Sequence, residues 1–172
     1  MTMPPAPIRL QTPDDYAALL ELNEKAFGPG RFARSAYRVR EGAMRDPRLN
    51  LCLTVDGKIA GAMDLTPVTI GGVKGALLLG PLIIADKYKS QGYGRRLTLD
   101  GLERARALGY RLVILVGDLP YYARAGFRPA PQGRIVMPGP VDPARMLYAE
   151  LAPGALEAYR GLVQGIPRRA RV

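Results

Sequence analysis

The chain has 172 residues, of which 48% are hydrophobic and 23% charged, and it carries a formal net charge of +10. A chain of this length is expected to form one domain, residues 1–172, and the composition is typical of a globular rather than a disordered protein. Histidine is absent and Cys52 is the single cysteine. These counts exclude a Ser/His or Cys/His catalytic pair, a His-ligated metal and a thiolate cluster, so no metal site is predicted.

Charge and apolar content also bear on location and partners. The start MTMPPAPIRL lacks a basic segment followed by an apolar run, and the apolar stretch 76–85 is interrupted by Gly80 and Pro81. We therefore expect a cytoplasmic protein with no membrane contact. A basic protein favours acidic partners. The basic residues are spread along the chain, and we interpret the dense run at 168–171 as a solvated tail, so nucleic acid is not expected as a partner.

Two helices are predicted near the N-terminus, after a short strand at residues 8–11. Residues 12–15, TPDD, combine a cap residue, a proline and two acids in the order that begins a helix. This helix is expected to reach Phe27, and a second to span 34–45. Tyr37 and Arg38 of the second helix are expected to lie on the surface.

Three antiparallel strands are predicted next. Asp-Gly at 56–57 separates the apolar runs 49–55 and 58–70, which is typical of a two-residue hairpin turn. The glycines at 71–72 predict a second tight connection, into a strand at 76–84. Cys52 lies in the first apolar run, where a buried thiol is expected.

The segment 76–108 carries the main functional signal. Its apolar strand leads through a polar turn with Gly92 and Gly94 into a predicted helix. Glycine lets a ligand approach the main chain closely, and the first N–H groups of a helix have no internal partner. The turn therefore predicts a phosphate or pyrophosphate site, flanked by Lys89, Arg95 and Arg96. A lone Gly-x-Gly is equally typical of a flexible turn.

A parallel strand pair is expected around this helix. The helix should end near Gly109, and the run 112–116 is too apolar for an edge strand. A strand, a crossover helix and a strand in this order place the two strands parallel. Gly80-Pro81 predicts a bulge in the first one. Residues 134–137 and 146–151 are expected to supply closing strands, and the antiparallel strands upstream do not fit a dinucleotide-binding Rossmann fold.

These motifs resemble the GCN5-related N-acetyltransferase (GNAT) superfamily. KSQGYG at 89–94 is similar to its coenzyme A pyrophosphate loop, Gln/Arg-x-x-Gly-x-Gly/Ala, from which Lys89 is the departure. YYARAGF at 121–127 resembles the family segment Phe-Tyr-x-Lys/Arg-x-Gly-Phe. The link GDLP at 117–120 and the segment ELAPGAL at 150–156 look like the YhbS-like branch of the superfamily.

The resemblance implies a single-domain α/β fold, with an α+β mixed sheet. Antiparallel N-terminal strands would precede a parallel central pair that splays around acetyl-CoA. The early helices would shape the acceptor pocket, where Tyr37 and Arg38 would face the substrate if they are not surface residues. Pantetheine would pair with the main chain of the upstream strand, as an added strand does. The cofactor-binding residues implied are Leu82, Ile83, Ile84, Lys89, Ser90, Gln91, Gly92, Tyr93, Gly94, Arg95, Arg96 and Arg124, of which Arg124 could instead simply cover its helix in solvent.

Acetyl transfer needs a neutral amine, donors for an oxyanion, and a proton for the leaving thiolate. The resemblance implies Tyr122 as the proton donor, although Tyr121 and Tyr122 could both be packing residues. The general base stays open between Asp118, Asp64 and ordered water. A structural role is expected for both carboxylates, with Asp118 as a turn or cap residue and Asp64 as a solvated strand position.

We predict an acetyl-CoA-dependent N-acetyltransferase that acts by direct transfer in a ternary complex. Its acceptor would be a primary amine of a small molecule or peptide, and the basic balance favours an acidic or carboxylate-bearing one. A monomer or a homodimer is expected. The alternative is a catalytically weak acyl-CoA-binding or regulatory module that contacts nucleic acid through its basic residues.

Overall fold

A computed structural model describes residues 6–30 and 34–168. The strands found there are β1 (Ile8–Leu10), β2 (Leu51–Val55), β3 (Lys58–Ile70), β4 (Val73–Ile84), β5 (Leu112–Val116), β6 (Arg128–Pro129), β7 (Ile135–Val136), β8 (Met146–Glu150) and β9 (Gly161–Gly165). The α-helices of the same residues are α1 (Tyr16–Phe27), α2 (Ser35–Arg40), α3 (Tyr93–Ala107) and α4 (Leu119–Tyr122).

The strands form a mixed sheet in the order β1-β2-β3-β4-β5-β8-β6. Neighbours along this path are antiparallel except β4 and β5, which are parallel with α3 as their crossover. Strand β9 pairs with one end of β3 and with β7. The predicted mixed α/β fold is confirmed, and so are the hairpin between β2 and β3, the tight connection before β4 and the parallel central pair.

The parallel strands β4 and β5 stay together over only a short length. Their register joins Ala76 to Leu112, Leu77 to Val113 and Leu78 to Ile114. Beyond Leu78, β4 continues to Ile84 and pairs only with β3. The edge of β4 that faces β5 is therefore open along its second half, because the strands diverge toward their C-terminal ends.

A bulge accompanies this divergence. Met63 of β3 pairs with Leu82, whereas Leu65 pairs with Leu79, so β4 carries one residue more than β3 between these pairs. The extra residue falls at Gly80-Pro81, whose peptide bond is cis. The predicted bulge is confirmed, and it places the irregular backbone at the mouth of the opening.

The core lies on both faces of the sheet. Alternate residues of a strand point to opposite faces, so Leu77 and Val113 pack in the cluster that includes α3, and Leu78 and Ile114 pack in the other. From α3, the buried residues Leu97, Leu102 and Ala105 join the first cluster. The second cluster is closed by α2, β9 and the fully buried Tyr159. Cys52 is fully buried, as expected.

Three expectations need correction. The second helix is not 34–45, because Glu41 adopts an extended conformation that ends α2 at Arg40. Ala43 then forms an isolated bridge with Pro167. The segments 134–137 and 146–151 contain the shorter strands β7 and β8, and the sequence predicted neither β6 nor β9.

Of the basic run at 168–171, the structure describes Arg168. Residues 169–171 lie outside the described residues. Arg168 donates from its Nε to the carbonyl of Ala43 at 3.3 Å. Arg168 is therefore exposed to solvent, as predicted, and is also hydrogen-bonded to the fold. In the described residues, no helix is long and apolar enough to cross a membrane.

Candidate active site

A cavity of about 1390 Å³ occupies the opening between β4 and β5. The cavity is lined by the loop before α3 and the first turn of that helix, by the second half of β4 and by α4. Side chains of α1 and α2 complete it. From the loop and α3, the lining residues are Tyr88, Lys89, Ser90, Gly92, Tyr93, Gly94 and Arg95.

The loop presents main-chain donors to the cavity. Gly92 caps α3 with a φ of 83°, and the amide of Arg96 donates to its carbonyl at 3.1 Å. The amides of Tyr93, Gly94 and Arg95 precede this first helical bond, so helix geometry leaves them without an internal acceptor. Together with the positive end of the helix dipole, they form an arrangement that suits a phosphate group.

Gly94 and Tyr121 bring the loop and α4 into contact. A Cβ on Gly94 would overlap the hydroxyl oxygen of Tyr121, so this approach requires a residue without a side chain. The ring of Tyr121 also meets that of Tyr122 edge to face, with 4.9 Å between centroids. The two segments that carry the sequence motifs therefore line the same cavity.

The Tyr122 hydroxyl is suited to remain protonated. Its ring is half-buried and packs edge to face on Phe127, at 5.8 Å between centroids. The pKa of Tyr122 is raised to about 12, mainly by burial and also by Tyr121 and Asp118, while Arg145 opposes the rise. A phenol with this pKa is a proton donor at any physiological pH.

The two candidate carboxylates differ in environment. Asp118 precedes α4, its side chain is 75% exposed, and it pairs with Arg145 at 3.2 Å. Asp64 on β3 has a side chain that is only 24% exposed. Both side chains line the cavity. The expectation that Asp64 is a solvated strand position is therefore wrong.

Asp64 is held by two neighbours. Its Oδ1 accepts from Gln11 Nε2 at 2.8 Å, and its Oδ2 lies 3.4 Å from Arg45 Nη2. Burial raises the pKa of this carboxyl, while Arg45, Gln11 and Arg40 oppose the rise. Asp64 is thus the cavity carboxylate whose environment favours uptake of a proton.

The predicted cofactor-binding residues do not all line the cavity. Leu82, Ile84 and Arg124 do so, together with the loop residues named above. Ile83 instead borders a smaller pocket of about 110 Å³ beneath α1. Gln91 and Arg96 are absent from the lining, and Arg96 Nη2 donates to the carbonyl of Ala6 at 2.9 Å.

Sequence reasoning missed several cavity residues. Arg40, Arg45 and Thr66 line the cavity although no motif marks them. Of the second predicted helix, Tyr37 lines the cavity and Arg38 does not. Helix α1 buries no residue, because the face that carries Leu20, Asn23 and Phe27 borders the cavity rather than the core.

Comparison with known proteins decides the family. The model of the acetyltransferase (GNAT) family matches residues 16–127. The chain belongs to this family. It is similar to the uncharacterized N-acetyltransferase YhbS of Escherichia coli K12, with 29% identity over 159 residues that cover 91% of this chain and 94% of the relative.

Solved structures agree with this assignment. The crystal structure of YhbS from Escherichia coli in complex with CoA superposes with a TM-score of 0.81, covering 96% of this chain and 93% of that one at 29% identity. A GNAT acetyltransferase from Brucella melitensis in complex with acetyl-CoA has a TM-score of 0.60 and 28% identity, covering 83% of this chain and 94% of its own.

The family assignment confirms three predictions. The resemblance to GNAT proteins is confirmed, and so is the class of the protein, an acyltransferase. A coenzyme A cofactor is confirmed at the level of the family, because two relatives were solved with CoA or acetyl-CoA. A separate observation concerns metal ions: among the described residues, no group of three or more His, Cys, Asp or Glu side chains could hold one.

Proposed function

We propose that this chain transfers the acetyl group of acetyl-CoA directly to a primary amine, within a ternary complex. The observation that carries the proposal is the continuity of the cavity, which joins the start of α3, the open edge of β4, Tyr122 and the side chains of α1 and α2. Such a cavity can hold two reactants side by side, and holding them in position accounts for much of the rate gain.

The residues present fit coenzyme A. The first-turn amides of α3 suit the pyrophosphate, and Lys89, Arg95 and Arg124 line the same cavity. The open edge of β4 leaves main-chain groups for the amides of pantetheine, a recognition mode that depends little on side-chain identity. When bound, the cofactor supplies the reactive thioester carbonyl.

Tyr122 is proposed to protonate the departing thiolate. Its hydroxyl proton is retained at neutral pH because the pKa is raised to about 12. Gly117 makes room for this ring, since a Cβ there would lie 2.6 Å from Tyr122 Cε2. Asp118 contributes by raising the pKa of Tyr122, which is a supporting role rather than proton removal.

Direct transfer is favoured over a covalent enzyme intermediate. Cys52 has no exposed surface, and burial raises the pKa of its thiol, which makes it a poor nucleophile. The chain has no histidine that could activate a serine.

Asp64 is the better candidate for the group that accepts the proton of the amine. Its raised pKa brings it closer to the operating pH than an ordinary carboxyl, and it lines the cavity beside the bulge of β4. The side chain of Asp118, by contrast, is largely exposed to solvent. Proton removal from the amine is therefore assigned to Asp64, directly or through water.

The proposal is tested by calorimetric titration followed by an amine screen. Acetyl-CoA and desulfo-coenzyme A are expected to bind with micromolar affinity, whereas NADH is expected to give no heat. Acetyl-CoA is then offered with a library of primary amines, and formation of free thiol is followed. Absence of acetyl-CoA binding by folded protein would overturn the proposal, and binding without transfer to any amine would favour a regulatory acyl-CoA module.

A further inference from the structure

The cavity is strongly basic. Eight basic and three acidic side chains line it. Lys89, Arg95 and Arg124 are the basic residues that belong to the cofactor loop and to the segment after α4. The other five come from the segments around α2, from the turn before β8 and from the chain after β9, and they are Arg34, Arg40, Arg45, Arg145 and Arg168.

Four of these five arginines are engaged by neighbouring groups. Two pair with carboxylates, one donates to a carbonyl, and one lies over an aromatic ring. These four contacts join Arg45 to Asp64 at 3.4 Å, Arg145 to Asp118 at 3.2 Å, Arg168 to the Ala43 carbonyl at 3.3 Å, and Arg34 to the Phe27 ring at 5.1 Å from its centroid.

Arg40 differs from the other four. Its half-buried guanidinium lines the cavity at the end of α2 and forms no hydrogen bond or ion pair with the described residues. Asp64 is the carboxylate that acts on it electrostatically, but the contacts of the Asp64 oxygens are with Gln11 and Arg45 rather than with Arg40. The planar guanidinium of Arg40 therefore presents its N–H donors to the cavity.

The position of Arg40 is next to the proposed reaction centre. Its Nη1 lies 3.0 Å from the place of a Cβ on Gly80, in the bulge where β4 leaves β5. Burial disfavours the charged form of Arg40, so an anion that approaches it replaces lost hydration with charge-assisted hydrogen bonds. A carboxylate matches the guanidinium with two parallel bonds.

We propose that Arg40 binds a carboxylate of the acceptor, so that the substrate class is amines that carry a carboxylate group. This inference rests on the proposed acetyl transfer. Polyamines fit less well, because eight basic and only three acidic side chains line the cavity, and this excess of positive charge repels a polycation. Asp64 and Asp118 pair with arginines, and Asp142 Oδ1 accepts from the amide of Ala144 at 2.9 Å.

The experiment compares acceptors in pairs of which one member carries an anionic group and the other does not. Amino acids, β-alanine and γ-aminobutyrate are each measured against their primary amides, and O-phosphoethanolamine against ethanolamine separates a phosphate from a carboxylate preference. The wild type and two variants, Arg40→Gln and Arg38→Gln, are assayed for kcat/KM. Arg38 is the matched control, because it lies on the same helix, has the same charge and does not line the cavity.

The wild type is expected to favour carboxylates over amides by about 30-fold or more, since an unmatched charged group at a recognition site is costly. Arg40→Gln should abolish this preference by lowering turnover of the carboxylates alone, with acetyl-CoA affinity unchanged by titration, and Arg38→Gln should retain it. Equal turnover of amides, a phosphate preference, or loss of acetyl-CoA affinity in Arg40→Gln would overturn the Arg40 assignment but leave acetyl transfer standing. No transfer to any amine would overturn both.

Discussion

The hydroxyl oxygen of Tyr121 occupies the space that a side chain on Gly94 would need. Gly94 belongs to the first turn of α3, and Tyr121 belongs to α4, so this contact joins two segments that are separated in the sequence. It places an aromatic side chain against the amides that are proposed to bind pyrophosphate. The second glycine of the loop is thus required by its neighbour as well as by the ligand.

Gly94→Ala is expected to weaken acetyl-CoA binding by about tenfold, because the new methyl group displaces Tyr121 and narrows the approach to the loop amides. The fold should persist, since the side chain that must move is 53% exposed and can turn outward. The measurement is the dissociation constant of acetyl-CoA, with a thermal melt as the check on folding.

A double-mutant cycle with Tyr121→Ala identifies the cause. If the overlap is responsible, Gly94→Ala should cost much less affinity in the Tyr121→Ala background than in the wild type. Additive losses in the double variant would mean that Gly94 acts on the cofactor alone.

The partly buried position of Asp64 predicts a distinctive pH dependence of kcat/KM. Because burial raises its pKa, the carboxylate form is lost at a higher pH than for an ordinary aspartate. A base must be deprotonated, so kcat/KM should fall as the pH decreases through this raised value, and Asp64→Asn should remove that limb and lower the rate by about 100-fold. A weakly basic amine is the suitable acceptor, since its own protonation then lies below the range measured.

Asp118→Asn is the comparison for this prediction. Asp118 is exposed and paired with Arg145, so its replacement should lower the rate only a few fold and leave the acid limb in place. An unchanged pH profile in Asp64→Asn would contradict the assignment of Asp64 as the base.

Adjacent glycines between β3 and β4 give a test of the fold. Both have positive φ, 57° at Gly71 and 82° at Gly72, but only at Gly71 would a Cβ overlap the backbone carbonyl of Arg160. At Gly72 no atom lies within 4 Å of that position. Gly72→Ala should therefore cost ~1 kcal/mol of unfolding free energy, from conformation alone.

Gly71→Ala should cost ~3 kcal/mol or more, because a backbone oxygen cannot move aside as a side chain can. Urea denaturation of the two variants measures the difference. Equal losses would show that the segment before β9 does not lie against this turn.

The central fold could be predicted because its signals are local. The hairpin at Asp56-Gly57, the bulge at Gly80-Pro81 and the helix start at Gly92 each follow from residues whose backbone preferences are strong. The parallel pair follows from the handedness rule for a crossover connection. These features position the cofactor loop, so that part of the site can be predicted from the sequence.

The part of the cavity that is proposed to bind the amine acceptor could not be predicted, because it is formed by contacts between residues distant in sequence. Asp64 was expected to be solvated because its strand neighbours do not reveal that Gln11 and Arg45, distant in sequence, close over it. Arg40 carries no motif, and its place beside Gly80 arises only when α2 packs against the sheet. Strand β9 was missed because its glycine-bounded, partly polar sequence has weak strand propensity.

The most direct test of acetyl transfer by this site is the Tyr122→Phe variant, compared with Tyr121→Phe, which loses a hydroxyl one residue away. In Tyr122→Phe, kcat should fall by about 100-fold or more, because the departing thiolate loses its proton donor, while the dissociation constant of acetyl-CoA stays the same. Tyr121→Phe should keep kcat within a few fold. A Tyr122→Phe enzyme with wild-type kcat would contradict the assignment of Tyr122 as the acid.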